Sequence, residues 1–265
     1  MSGKAQIVAT IGPATKDKKI LKEMILHGMN VARLNFSWGS YEEHADYIKS
    51  IREEAKEVGK IIPIIQDLSG PRMQEGTGHE FDSKNTEIIT EKDLADLKFG
   101  TEQNVDYVAM SFVGSDKDIL ELREHMRKLG KIIPIIAKIE RKVAIDNIDE
   151  IIKNADAIMI ARGDLGNEIP LEQIPFVEKD IIQKCKDSGR PVIVATQMME
   201  SMVENPLPTR AEVTDIAYAI LNGADAVMLS EESATGKYPL ETVIMMEKGI
   251  MEAEKHLKNI KINSL

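Results

Sequence analysis

Short apolar runs alternate with longer amphipathic stretches along almost the whole chain. Eight runs, at 6–11, 30–35, 61–67, 106–112, 132–139, 156–161, 191–196 and 225–230, are rich in β-branched or other apolar residues. They have strand length and no helical period. Between them, apolar positions recur at helical spacing over 16–27, 41–58, 116–129, 143–154, 176–188, 210–221 and 240–257, with a weaker stretch at 91–103. Gly28, Gly59, Gly130, Gly189 and Gly223 each stand between a predicted helix and the next strand, where a left-handed residue closes a helix. Strand–helix alternation predicts an α/β protein with a parallel sheet. Eight repeats predict a closed (β/α)8 TIM barrel over an open doubly wound sheet. No GxGxxG turn follows the first strand, as an open dinucleotide-binding sheet requires.

The 265 residues suit one domain spanning 1–265. One connection departs from the pattern. Between Asp67 and the helix starting at Glu91 the chain is far longer than an ordinary strand–helix loop, and its centre at 75–80 is polar and Gly-rich. It reads as a long flexible loop at about 73–90.

Composition narrows the partners. A net charge of −10 argues against general binding to nucleic acid or an anionic membrane, so an anionic substrate needs a local positive site. No apolar run approaches the roughly 18 residues that span a bilayer, and the N-terminus lacks a cationic, hydrophobic leader. Cys185 is the single cysteine, which fits a reducing compartment and an inert, buried thiol. A soluble cytoplasmic protein is expected.

In a parallel barrel the polar residues that close each strand converge on one face, where ligands bind. Here they are Thr10; Arg33, Asn35 and Ser37; Asp67; Ser111; Lys138 and Glu140; Arg162 and Asp164; Thr196 and Gln197; Ser230 and Glu232. No histidine is among them. His27, His44, His79, His125 and His256 fall in predicted helices or the long loop, without metal-ligand spacing, and read as surface or helix-end residues.

Lys138 and Glu140 lie two apart on one strand and so share a face. Either they form an ion pair layered inside the barrel, or Glu140 ligates a divalent cation while Lys138 meets a transferred anionic group. Asp164 is the candidate second carboxylate for Mg2+, which favours oxygen ligands and retained waters; its alternative is a turn or N-cap role. Arg33 alternates with Asn35 and Ser37 and suits phosphate or carboxylate, or else a salt bridge to Asp67. Thr196 either hydrogen-bonds a substrate oxygen or N-caps the segment after it. Gly163 allows backbone amides close to a carboxylate, at a helix N-terminus that favours an anion. Met198, Met199, Met202, Met245, Met246 and Met251 read as core filler.

Several of these segments resemble the pyruvate kinase family. They are Ile11-Gly12-Pro13-Ala14-Thr15, Met29-Asn30-Val31-Ala32-Arg33-Leu34-Asn35-Phe36-Ser37, Asp67-Leu68-Ser69-Gly70-Pro71 and Ala137-Lys138-Ile139-Glu140. Ala161-Arg162-Gly163-Asp164-Leu165-Gly166, Ala195-Thr196-Gln197-Met198-Met199-Glu200-Ser201-Met202 and Met228-Leu229-Ser230-Glu231-Glu232 complete the set. The resemblance runs in order from about residue 6 to 256. It implies transfer of a phosphoryl group from phosphoenolpyruvate to ADP, giving pyruvate and ATP, the final step of glycolysis. Arg33 would meet the substrate phosphate, and Lys138 the phosphoryl group in flight. Glu140 and Asp164 would bind Mg2+ (or Mn2+), the Gly163–Asp164 backbone the substrate carboxylate, and Thr196 would lie near the carbon that takes the proton.

The resemblance also has gaps. Family members usually carry a lid domain after the Gly-Pro turn, where this chain has Met73 to Thr90, and a C-terminal regulatory domain, which is missing here. Trp38 stands where the family often has His, and Gln74 where an Arg usually assists the phosphates. Asn35, Ser37 and Asp67 match the family's K+ ligands, but Leu68 replaces Thr and Arg72 falls at a position that is often Glu in K+-requiring members. A fixed cation at Arg72 would make K+ unnecessary. Two alternatives stay open: Mg2+-dependent enolpyruvate chemistry without nucleotide (oxaloacetate decarboxylase or pyruvate aldolase type), and a catalytically weak metabolite-binding protein. A homo-oligomer is compatible with either.

Overall fold

An apolar run in this chain has two faces to bury, one toward a barrel interior and one toward surrounding helices, so it becomes a strand. The computed structural model describes residues 3–75, 78–81 and 87–257. In it the strands are β1 (Gln6–Thr10), β2 (Met29–Asn35), β3 (Ile64–Asp67), β4 (Arg72–Glu75), β5 (Gly78–Phe81), β6 (Tyr107–Met110), β7 (Ile135–Ile139), β8 (Ala157–Ala161), β9 (Val192–Ala195) and β10 (Ala226–Leu229). All except β4 and β5 pair in parallel and close on themselves in the order β1-β10-β9-β8-β7-β6-β3-β2. The fold is the expected eight-stranded (β/α)8 barrel.

Within the connection read as a loop, β4 and β5 pair with each other as an antiparallel ribbon, Arg72 opposite Phe81 and Glu75 opposite Gly78. Residues 76–77 and 82–86 of that connection lie outside the described residues.

The helices are α1 (Lys18–Leu26), α2 (Tyr41–Glu57), α3 (Glu91–Gln103), α4 (Asp116–Lys128), α5 (Lys142–Asp146), α6 (Ile148–Asn154), α7 (Arg162–Glu168), α8 (Ile174–Asp187), α9 (Arg210–Asn222), α10 (Glu231–Ala234) and α11 (Pro239–Lys255). Capping boxes at Ser40/Glu43, Thr90/Asp93 and Thr209/Glu212 start α2, α3 and α9. The expected helix over 143–154 is broken in two at Asn147, whose side-chain amide donates to the Gly114 carbonyl at 2.9 Å. No helix among the described residues is long and apolar enough to cross a membrane.

Strand parity sorts the interior. Val8, Val31, Ile65, Ala109, Ile136, Ala157, Met159, Ile193, Ala226 and Met228 fill the barrel, while their strand neighbours pack outward against the helices. Cys185 is fully buried, and burial pushes its thiol up to about 12, so it stays protonated and inert. His44 departs from the expected surface position. It is 5% exposed and stacked on Phe36 at 4.0 Å, and burial holds it below the usual imidazole range.

The floor of the barrel repeats one device. An amide in the first two residues of one strand donates to a side chain at the start of its neighbour: Ile7 N to Asn30 Oδ1 (2.8 Å), Ile64 N to Asp106 Oδ2 (2.8 Å), Ile135 N to Asp156 Oδ2 (2.8 Å) and Val192 N to Asp225 Oδ2 (3.0 Å). The strands are thereby tied in adjacent couples around the ring, with register set at the end away from the site. Asp225 is fully buried and also pairs with Lys186 at 3.0 Å. Asp225→Ala is expected to destabilise the fold by about 2 kcal/mol or more, because the buried Val192 amide loses this acceptor. Asp225→Asn, which keeps an acceptor oxygen, should lose less. Urea unfolding midpoints of the two variants check the order.

Candidate functional site

The parity that fills the floor with aliphatic groups continues up each strand and ends in polar ones. Val8 is followed on the same face by Thr10, Val31 by Arg33 and Asn35, Ile65 by Asp67, Ala109 by Ser111, and Ile136 by Lys138 and Glu140. At the mouth these side chains form one network. Arg33 Nε donates to Asp67 Oδ2 at 2.6 Å and its Nη1 to Thr10 Oγ1 at 2.8 Å. Lys138 Nζ donates to Ser111 Oγ at 2.7 Å and to Asp67 Oδ1 at 3.0 Å, and lies 3.0 Å from Glu140 Oε1. Both bland possibilities are therefore met: Arg33 does pair with Asp67, and Lys138 with Glu140.

Glu140 is further held by the Phe112 amide, which donates to Oε2 at 2.6 Å. Phe112 has a left-handed backbone (φ 56°), which turns that amide inward. Gly70 makes room for it: its φ is +66° and a Cβ there would lie 2.9 Å from the Phe112 ring. Arg72 stretches over that ring, 4.9 Å from its centroid, and brings Nη2 within 3.5 Å of Glu140 and 3.7 Å of Asp164.

Burial alone would raise both Asp67 and Glu140. The charges of Lys138 and Arg33 outweigh it at Asp67, those of Lys138 and Arg72 at Glu140, and both carboxyls are held below their ordinary range. Asp164 goes the other way. Burial, then repulsion from Glu140, push it up to about 6. Two adjacent carboxylates, one of them resisting ionisation through burial and the charge of the other, form a donor set that a hard dication relieves. Among the described residues no group of three or more His, Cys, Asp or Glu is placed to hold a metal. Two carboxylates do not fill a cation's coordination shell, so an ion such as Mg2+ held by them would keep water or substrate oxygens as its remaining ligands.

The other expected residues fall as follows. Gly163 lies in the first turn of α7, and its amide donates to Thr196 Oγ1 at 2.7 Å; the hydroxyl in turn donates to the Ala195 carbonyl at 2.6 Å. Thr196 thus holds a neighbouring strand's end rather than capping the segment after it. A Cβ on Gly163 would meet only ordinary contacts, the nearest being Thr196 Oγ1 at 3.5 Å, so the structure does not demand glycine there. Asn35 Oδ1 accepts from the Ser37 amide at 3.1 Å, and Ser37 Oγ lies 3.3 Å from Ser69 Oγ. Trp38 is half-exposed, and the side chain of Gln74 lies outside the described residues.

Arg162 is at the mouth by sequence but points out of it, to Asp215 on α9 and Glu178 on α8. Neither acid stands out among the strand-end residues. A signal for Glu178 does exist: Glu178, Ile181, Ile182 and Cys185 recur at helical spacing, so a carboxylate occupies the apolar stripe of its helix.

Fold and site together define a parallel α/β barrel whose mouth sets lysine and arginine cations against paired carboxylates, an arrangement suited to anionic ligands with a divalent metal. The "Pyruvate kinase, barrel domain" family model matches residues 2–88 and 82–243. Curated pyruvate kinases from Dictyostelium discoideum (37% identical, covering 95% of this chain and 66% of the relative), Staphylococcus aureus strain MRSA252 (38%, 95% and 57%) and Bacillus licheniformis (38%, 98% and 59%) are similar to it. The chain belongs to the pyruvate kinase family. It spans about six tenths of the length of these relatives. The alignment with the Bacillus protein runs over 344 positions against 265 in this chain, and the family match breaks at 82–88, beside the ribbon.

Glu178 gives a testable pH dependence. It is 1% exposed, its Oε1 is buried without a hydrogen-bond partner, and burial pushes it up to about 7 against the pull of Arg162. A carboxyl raised in the folded state contributes most stability below its ordinary value near 4.5, and that contribution is lost as pH rises through about 7. Glu178→Gln, which mimics the protonated form, is expected to match the parent at pH 5 and exceed it at pH 8 by up to about 3 kcal/mol. Urea unfolding of both chains at the two pH values measures the difference.

Proposed function

We propose that this chain transfers a phosphoryl group from phosphoenolpyruvate to ADP, giving an enolate that is protonated to pyruvate, with Mg2+ (or Mn2+) as cofactor. In the cell this is the final step of glycolysis. Lys138 carries the proposal: a buried ammonium at the barrel mouth, 3.0 Å from two carboxylates and 2.7 Å from a hydroxyl, on a strand otherwise built of apolar residues. A charge so costly to bury, aimed at the open end, suits an anionic group whose oxygens need neutralising while it is transferred.

Arg33, fixed by Asp67 and Thr10, receives the substrate phosphate. Lys138 neutralises the transferring group. Glu140 and Asp164 hold the divalent ion, which when bound supplies positive charge to the phosphate and enolate oxygens. The Gly163–Asp164 backbone receives the substrate carboxylate, the Gly163 amide exchanging its bond to Thr196 for one to the ligand. The hydroxyl so released lies beside the carbon that takes the proton. Positioning and charge neutralisation carry the phosphoryl transfer, and the enolate carbon then takes a proton from solvent on the side of Thr196.

Lys138→Met is expected to lower ATP formation by roughly a thousandfold while sparing metal-dependent exchange of the pyruvate methyl protons with solvent. A coupled assay for the first and proton NMR for the second separate the two; equal loss of both contradicts the role given to Lys138. Turnover of oxaloacetate in place of phosphoenolpyruvate and ADP would favour nucleotide-free enolpyruvate chemistry. Turnover in neither assay would leave a metabolite-binding protein.

K+ is not required in this proposal. Both Asp67 oxygens are engaged by Arg33 and Lys138, and Asn35 Oδ1 by the Ser37 amide. Leu68 offers no hydroxyl, and the Arg72 guanidinium already supplies a fixed positive charge beside Glu140. Rates in sodium and potassium chloride at equal ionic strength are expected to agree. Strict activation by K+ would overturn this part.

A further inference from the structure

Arg162 immediately precedes Gly163, yet its guanidinium leaves the mouth and enters the gap between the barrel and α8 and α9. Asp215 takes it in a two-pronged pair, Nη1 to Oδ1 at 2.7 Å and Nη2 to Oδ2 at 2.6 Å, with Glu178 Oε2 3.2 Å from Nη1. The other edge of the fork grips the turn after β9. Nη2 donates to the Thr196 carbonyl at 2.9 Å and lies 2.9 Å from Met198 Sδ, and Nε donates to the Ala195 carbonyl at 3.4 Å.

That turn is strained. Thr196 and Gln197 both have left-handed backbones, with φ of 69° and 56°. A β-branched residue rarely adopts this conformation, at a cost of about 1–3 kcal/mol, and it persists only where the surroundings over-determine it. The guanidinium donors supply that determination on one side. On the other, the Gly163 amide donates to Thr196 Oγ1 at 2.7 Å. The side chain of Arg162 and the main chain of Gly163 therefore hold Thr196 from opposite ends, and when the substrate carboxylate takes the Gly163 amide the Arg162 side remains. A lysine could not reproduce this, since a point charge lacks the planar set of donors that meets Asp215 and two carbonyls together.

We propose that Arg162, anchored by Asp215, is a positioning residue for Thr196 and controls the protonation half of the reaction, not phosphoryl transfer. This rests on the reading that Thr196 lies beside the carbon that takes the proton. The separation follows from the bonding. Arg33 and Lys138 are held by Thr10, Asp67, Ser111 and Glu140, and none of these appears among the hydrogen-bond or ion-pair partners of Arg162.

The test compares Arg162→Lys, Asp215→Asn, Thr196→Ala and the double variant Arg162→Lys/Thr196→Ala. ATP formation, exchange of pyruvate methyl protons with deuterated water, and protection of the Gly163 amide are measured on each, the last two by NMR. Arg162→Lys and Asp215→Asn should slow methyl exchange about tenfold or more, change ATP formation less than about threefold, and deprotect the Gly163 amide. In the Thr196→Ala background, Arg162→Lys should cause no further loss of exchange. Equal losses in both reactions, an undiminished loss in that background, or an unchanged Gly163 amide would each overturn the proposal. Asp215→Asn leaves Arg162 in place and so guards against a variant that merely fails to fold. If the parent chain catalyses neither reaction, the functional reading fails, and Gly163 protection alone decides the clamp: loss in both variants upholds it, retention in either overturns it.

Discussion

Strand parity, once set at the barrel floor, dictates what stands at the mouth. A side chain on a strand alternates faces, so fixing Ile136 inward fixes Lys138 and Glu140 inward, and fixing Val31 inward does the same for Arg33 and Asn35. A slip of one residue would send these charges into the aliphatic layer under the helices and bring Leu34 and Ile139 into the mouth. The side chains that cap amides at the starts of β1, β3, β7 and β9 work against such a slip, because each bond exists in one register only. Stability at one end of the barrel is thus the condition for chemistry at the other, as expected of a fold that keeps these tasks on opposite faces.

Parity alone would give an unstable cluster, since buried charges are tolerated only when paired. Here the pairing is reciprocal. Asp67 joins Arg33 to Lys138, and Glu140 joins Lys138 to Arg72. The carboxyls inside this chain of contacts are held ionised, while Asp164, at the more exposed end, resists ionisation through its burial first and the charge of Glu140 second. Neighbouring acids pushed in opposite directions mark a place that lacks positive charge. Arg72 reaches both Glu140 and Asp164, at 3.5 and 3.7 Å, and its charge does not bring Asp164 back to its ordinary range.

The fold was legible because its signal is repetitive: eight apolar runs, each followed by a helical period, leave few topologies. Most of the mouth was legible for the same reason, being simply the polar residue at each strand's end. The failures are all places where a side chain's direction is set by something not periodic. Arg162 leaves the mouth because α8 and α9 offer it two acids, and Asp215 sits on a partly exposed helix face where no spacing rule singles it out. The single predicted helix at 143–154 breaks because Asn147 answers a carbonyl on another loop. His44 is buried by a stacking partner, Phe36, that lies beyond the end of β2. The ribbon was missed because Gly-rich polar sequence reads as a loop whether or not its flanks pair.

That ribbon is tied at its base to the carboxylates of the mouth. β4 begins at Arg72, directly after the Gly70–Pro71 turn, and the Arg72 side chain reaches the mouth. Its Nε donates to the Ser69 carbonyl at 2.9 Å, fixing the side chain to the turn that launches the ribbon, while the guanidinium lies over Phe112. The Phe112 amide in turn holds Glu140. A displacement of the ribbon's base would therefore be felt at Glu140 twice, through the cation beside it and through the amide that binds it. In relatives with a longer insertion at this point, the same path would link a larger body to the same carboxylate. Among the described residues that path runs from the Ser69 carbonyl through Arg72 to Glu140, and from the Phe112 ring under Arg72 to the amide that holds the same carboxylate.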